Sequence, residues 1–224
     1  MGTFHPASID SPLARRSAIR RDAIIAAAEE VFLDKGFASA SVDAVARRAN
    51  ASKATIYAHF GNKIGLFRAI LGNKLKDAFA PLAAANLPAL PADQVLRRVG
   101  TSFLTLMLSP TAIKFYRVMT SQGPEFPDLA QTWFENGPKV AIGKVAQFLR
   151  DRTAAGELSV ERPEQAAEFF LMMLRGVLHL RAVTGLDQPP FDAAIAAKVD
   201  AAVLLFMAAY GVKSPHTPKS RRTA

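Results

Sequence analysis

The sequence contains no cysteine. That excludes disulfide staples, thiolate metal sites and cysteine nucleophiles, and it is compatible with a reducing compartment. Histidine is scarce: His5 and His216 fall near the ends, and His59 and His179 have no partner at metal-binding spacing. Neither a G-x-S-x-G elbow nor a P-loop occurs, so the sequence predicts no enzyme and no cofactor. The N-terminal stretch MGTFHPASIDSPLARR lacks the apolar segment of a secretory signal, and Pro6 stands where a myristoylation motif needs Ser or Thr. Long apolar runs are missing too. The longest, Ala201 to Val212, has 12 residues, against the roughly 20 that a bilayer needs. β-type alternation, internal repeats and low-complexity tracts are not seen. What these absences leave is a soluble, cytoplasmic protein with no membrane partner.

Half of the 224 residues are hydrophobic, enough to bury a sizeable core. The net charge is +9, and it is unevenly spread. Residues 1–76 carry a net +6, residues 77–212 a net −1, and the last dozen residues a net +4. A basic N-terminal module on a neutral body points to a polyanion, with nucleic acid the first candidate. On charge alone, solvated basic helix faces explain the excess equally well.

Nearly every segment reads as helix. From Arg15 to Lys35, the residues Ile24, Ala27, Ala28, Val31 and Phe32 repeat at the i, i+3, i+4 spacing of one buried stripe. Lys35-Gly36 closes that helix, with glycine expected in a left-handed cap and Phe37 folding back. Ser41 is an N-cap for a short second helix with Val42, Val45, Ala46 and Ala49 inward, and Asp43 faces its positive end. Asn50 suits a left-handed turn, and Ser52 caps a third helix, Lys53 to Phe60. Gly61-Asn62 breaks it, and a longer helix starts near Lys63. Beyond the connector NLPALPAD, further helices are expected at about 92–108, 110–122, 127–135, 138–154, 163–184 and 192–211, most of them started by proline. The fold class is all-α.

Residues 41–60 therefore form a helix-turn-helix behind a supporting helix. In its second helix Ile56 and Phe60 point to the core, which leaves Lys53, Thr55, Tyr57, Ala58 and His59 for the outer face and flanks. A recognition helix uses such N-terminal residues on base edges in the major groove. Hydroxyls, helix-start amides and a lysine on the next helix hold the phosphates.

These residues resemble the TetR-type transcriptional regulators. The family pattern stands here as Gly36-Phe37, Ser41, Val45-Ala46, Ser52-Lys53-Ala54-Thr55-Ile56-Tyr57-Ala58-His59-Phe60, then Lys63 and Leu66. Asn50 replaces the usual turn glycine, Ala40 a common threonine, and Ile64 the glutamate that often follows the lysine. The resemblance implies that Thr55, Tyr57, His59 and Lys63 contact phosphates, that Lys53 and Ala54 read bases, and that Ser41 and Ser52 are caps that also approach the DNA backbone. Arg47 and Arg48 are general phosphate attractors or a solvated face. Packing of Tyr57 on the first helix, a local bond for His59 and a merely solvated Lys63 stay open as readings.

Residues 169–174, FFLMML, cover the whole circumference of a helix, and the last helix is apolar on more than one face. Packing both helices against the same pair of a second copy resolves this, through Phe170, Leu174, Val177, Val199, Val203, Phe206 and Tyr210; a large core within one chain is the alternative. A homodimer also sets two recognition helices about one DNA turn apart, which fits a pseudo-palindromic operator. TetR-type regulators dimerise through their last two helices, and the segment FYRVMTSQGPEFPDLAQTWFENGP is similar to the C-terminal domain of AefR-like members. In the family this domain encloses a small-molecule pocket. Candidate lining residues are Phe103, Met107, Phe115, Tyr116, Met119, Trp133, Phe134, Met172 and Met173, with Arg175 and His179 as polar contacts; the composition suits a largely apolar effector. A core role for each apolar residue, and an interface role for His179, remain alternatives.

The expected organisation is a disordered tail (1–14), a helix-turn-helix domain (15–76), a ligand-binding and dimerisation domain (77–212) and a basic tail (213–224). The expected function is sequence-specific DNA binding, as a repressor released by a small molecule. Two alternatives are a non-specific architectural DNA binder and a helical apolar-ligand protein without regulatory DNA binding.

Overall fold

The structure, a computed structural model, describes residues 12–83 and 89–212. Among these the chain is all-α: α1 (Pro12–Ser39), α2 (Val42–Arg48), α3 (Lys53–Phe60), α4 (Lys63–Ala78), α5 (Ala92–Met107), α6 (Pro110–Gln122), α7 (Pro127–Asn136), α8 (Pro138–Ala154), α9 (Pro163–Thr184) and α10 (Asp192–Tyr210). Proline opens α6, α7, α8 and α9, where its missing amide hydrogen costs nothing. The expected tails differ in standing. Residues 1–11 and 213–224 lie outside the described residues, whereas 12–14 already belong to α1.

The chain divides into two compact units. The first contains the N-terminal segment through Lys74 together with Lys114–Gly137, and the second contains Leu75–Ile113 and the chain from Pro138 onward. Residues 114–137, assigned from sequence to the ligand-binding domain, thus fall in the same compact unit as the helix-turn-helix. Phe115, Met119 and Leu129 are buried in one core with Ile24, Ala28, Val31, Phe32, Ile56, Leu66 and Phe67. Phe67 meets Phe32 and Phe115 with tilted rings and Phe37 edge to face, with ring centroids 5.7–6.5 Å apart, contacts that add modestly to area burial.

Gly36 interrupts α1 at φ 71°, ψ 164°. The positive φ is as expected, but ψ is not that of a left-handed cap; it is a region that essentially only glycine enters. The amides beyond the break are held from α6, whose terminal Gln122 accepts from Phe37 N at 3.1 Å and Ala38 N at 3.4 Å through Oε1. Sequence periodicity carries no signal for such a bond between residues 85 apart.

The second unit is built on α5, α8, α9 and α10, with Val95, Leu96, Val99, Leu104, Val145, Leu149, Phe170, Leu174, Val199, Val203 and Phe206 at its centre. Glu157, in the loop after α8, ties three segments. It pairs with the buried Arg152 at 2.5 Å, accepts from the Ala92 amide at the start of α5 at 2.9 Å, and its carbonyl accepts from Val212 N at 3.2 Å.

Several residues expected at a dimer interface are buried inside the chain instead. Phe170, Leu174, Val199, Val203 and Phe206 all belong to the second unit's core, and Phe206 is 1% exposed against Phe170 at a 5.3 Å ring separation. Of that set only Val177, 66% exposed, and the half-buried Tyr210 lie outward. The outward apolar face consists instead of Phe169, Met172, Val177 and Leu180 on α9 and of Leu204 and Leu205 on α10, the last two 69% and 62% exposed. The reason is the near-uniform apolarity of α10, in which periodicity cannot tell inner stripe from outer. Including Lys198 and Asp200, α10 is 19 residues and contains an 18-residue stretch with a mean hydropathy of 1.7, long and apolar enough by length and composition to cross a membrane. The 12-residue uninterrupted run understates it.

Candidate nucleic-acid interface

The geometry of α2 and α3 follows from two serines and two turns. Ser41 Oγ accepts from Ala44 N at 3.2 Å, and Ser52 Oγ accepts from Thr55 N at 3.1 Å, so each helix start is satisfied by its own N-cap. Between the helices Asn50 adopts φ 46°, the left-handed value expected of it. After α3 the backbone turns at Gly61, and Gly65 on α4 comes so close to the Phe60 carbonyl that an added Cβ would lie 1.8 Å from its oxygen. Glycine there lets α4 start hard against the end of α3.

Ile56 is buried and fixes the rotation of α3. Lys53, Ala54, Tyr57, Ala58 and His59 are consequently exposed, a polar and cationic surface two turns long. Thr55 is half-buried, its hydroxyl 2.8 Å from Ser52 Oγ. Tyr57 is 49% exposed. Phe60 is half-buried, and its ring lies 5.5 Å below the Arg21 guanidinium of α1.

Each candidate cation has a distinct setting. Lys53 Nζ pairs with Asp43 of α2 at 2.5 Å, and Arg48 pairs with Glu30 of α1. Arg47 is exposed beside Lys53, on an open concavity shared by Asp43, Asn50 and Ser52. Lys63 donates from Nζ to the Ala38 carbonyl at 3.1 Å and sits 4.3 Å from the Phe37 ring centroid. Burial lowers its pKa from the ordinary lysine value. Lys63 thus closes the end of α1 at the Gly36 break while standing at the first residue of α4. From sequence, Asp43 is a helix-dipole residue only; its pairing with Lys53 bridges two helices at ten residues' separation, which local spacing does not reveal.

The candidate ligand residues are divided between the two compact units. Phe115 and Met119 are buried in the first unit, where Tyr116 and Trp133 meet edge to face at 6.1 Å. Phe103 is buried in the second unit's core, with Met107 and Met173 packed against it. Phe134 is 50% exposed, and Met172 lines an open apolar groove of about 510 Å3 with Phe169, Leu205 and Tyr210. Arg175 and His179 do meet, with Arg175 Nη2 3.3 Å from His179 Nδ1. Burial, and then the Arg175 charge, lower the His179 pKa to about 4. The ring is therefore neutral at neutral pH, and because a guanidinium can only donate, Nδ1 accepts and the proton sits on Nε2. Among the described residues no group of three or more acidic, histidine or cysteine side chains is placed to hold a metal.

Comparison with known proteins covers both units. Residues 24–70 match the bacterial regulatory proteins of the tetR family, and residues 94–212 match the C-terminal domain of the AefR-like transcriptional repressors. The HTH-type transcriptional repressor BepR of Brucella suis is 38% identical over 164 residues, covering 71% of this chain and 78% of its own. Among solved structures, the flavonoid-responsive regulator FrrA is 32% identical with a TM-score of 0.68, over 88% of this chain and 100% of its own. A TetR-family transcriptional regulator from Mesorhizobium loti is 26% identical with a TM-score of 0.73, over 88% and 99%. With these matches joined to the exposed, serine-capped α3, the chain belongs to the TetR family as a helix-turn-helix transcriptional regulator with an AefR-like C-terminal domain.

Proposed function

We propose that the chain represses transcription by binding a pseudo-palindromic operator as a homodimer, and that a small, largely apolar effector releases it. The observation that carries the reading is α3: Ile56 anchors it while Lys53, Ala54, Tyr57 and His59 are turned outward from one face. Ser41, Ser52, Thr55, Arg47, Arg48 and Lys63 flank that face, where hydroxyls and cations meet phosphates. Operator binding of this kind is a cytoplasmic, non-catalytic task. The outward apolar face of α9 and α10 supports the dimer, since isolated monomers rarely leave so many large apolar side chains in contact with water. The likeness to FrrA, a flavonoid-responsive regulator, supports a small-molecule effector here. In the second unit Arg175 and His179 supply a polar pair that an effector could meet. Release requires that the effector bind the DNA-incompetent arrangement more tightly, because equal affinity for both shifts nothing.

Selection of bound duplexes from a random pool at two salt concentrations tests this. An enriched inverted repeat is expected, with a changed base preference for Lys53→Ala. Binding without enrichment that vanishes with salt would instead assign an architectural role.

A further inference from the structure

Four arginines crowd the start of α1: Arg15, Arg16, Arg20 and Arg21 are all exposed, and the first acidic residue of the helix is Asp22. The helix-turn-helix as assigned above uses none of them. Their placement opposes the helix dipole, whose N-terminal end is positive, so it does not serve the helix that carries them.

The orientation of this basic segment is set by the rest of α1. Ile24, Ile25, Ala27, Ala28, Val31 and Phe32 define the buried stripe. At about 100° per residue, Arg20 and Arg21 fall within about 65° of the centre of that stripe, and Arg16 lies about 100° round. The stripe thus continues past the edge of the core as arginine. Arg21 fixes where that edge is, since its guanidinium lies over the ring of Phe60, the last residue of α3. Asp22 approaches Arg21 only to 3.9 Å, and neither Arg16 nor Arg20 forms an ion pair among the described residues. Cations are therefore ranged along about 8 Å of helix from Arg16 to Arg21, at 1.5 Å per residue, ending beside the recognition helix.

We propose that Arg16, Arg20 and Arg21 bind DNA phosphates beside the bases that α3 reads, extending the DNA contact of each protomer from the helix-turn-helix along the start of α1. The inference rests on the operator-binding reading above. Charge complementarity to the phosphate backbone and continuity with α3 through the Arg21–Phe60 contact select DNA as the occupant. Such contacts position the protein without carrying sequence information. They add affinity and salt dependence and leave the selected sequence unchanged.

The experiment uses the full chain on the inverted repeat that it selects. Arg16→Gln/Arg20→Gln keeps good helix formers at both positions, and far-ultraviolet circular dichroism checks the fold. The expected result is a salt slope shallower by about two per bound protomer, since each phosphate contact contributes about 0.9. Phosphate-ethylation interference should lose positions next to the bases that α3 reads, while the selected repeat is unchanged. An exposed-arginine control on the second unit, Arg150→Gln, should keep the wild-type slope. A double variant with the wild-type slope and interference map would overturn the proposal, as would one that selects a different repeat. Failure of the wild-type chain to select any repeat would overturn the operator reading itself.

Discussion

At the scale of single residues, His179 shows how position sets chemistry. It is 5% exposed, it accepts from a guanidinium, and its pKa is lowered to about 4. In the unfolded chain the same imidazole titrates near 6.5. Above that pH both states hold it neutral and it adds no pH dependence. As the pH falls from about 6.5 to about 4, the unfolded state takes up a proton that the folded state refuses, so stability is lost through this window. The full loss is about 3 kcal/mol at the acid end. The stability of the wild-type chain should therefore fall in this window more than that of His179→Gln, as read by denaturant melts at matched pH values; parallel curves for the two would refute it. Lys53 makes the complementary point on α3, where its ammonium is held by Asp43 of the neighbouring helix.

Among the elements, α10 separates what sequence alone can resolve from what it cannot. Its existence and length were legible, because a long apolar stretch with few breakers reads as one helix. Its rotation was not, since neighbouring apolar residues satisfy several stripes equally. Two adjacent positions test the outcome. Leu205→Glu places a charge on the outward groove and should give folded monomers, measured by light scattering with circular dichroism. Phe206→Glu places one in the core, at a cost of several kcal/mol, comparable with the total stability of a domain. It should abolish the folded state rather than the dimer. Folded monomers from Phe206→Glu would reverse the assigned rotation. The short elements were more legible: Ser41, Ser52, Asn50 and Ile56 each had one local role, and local rules determine caps and tight turns. The contacts of Gln122 with Phe37 and of Asp43 with Lys53 were invisible because the partners lie on other helices.

For the molecule as a whole, Glu157 is the point where distant parts of the chain meet. One carboxylate neutralises the buried Arg152 and caps the start of α5, while the same residue's carbonyl holds Val212 just past α10. Glu157→Ala leaves a guanidinium that is only 8% exposed without its carboxylate. The expected loss is about 3 kcal/mol, read from the denaturation midpoint. A loss below about 1 kcal/mol would mean that other groups hold these segments. The two compact units also differ from the contiguous domains that a sequence suggests. The first unit's core needs Phe115, Met119 and Leu129, and its broken α1 is held by Gln122. Those residues are made well after the helix-turn-helix itself. During synthesis from the N-terminus, therefore, the DNA-reading segment leaves the ribosome with its core incomplete, and it gains its last buried side chains only once residues 114–137 have followed it out.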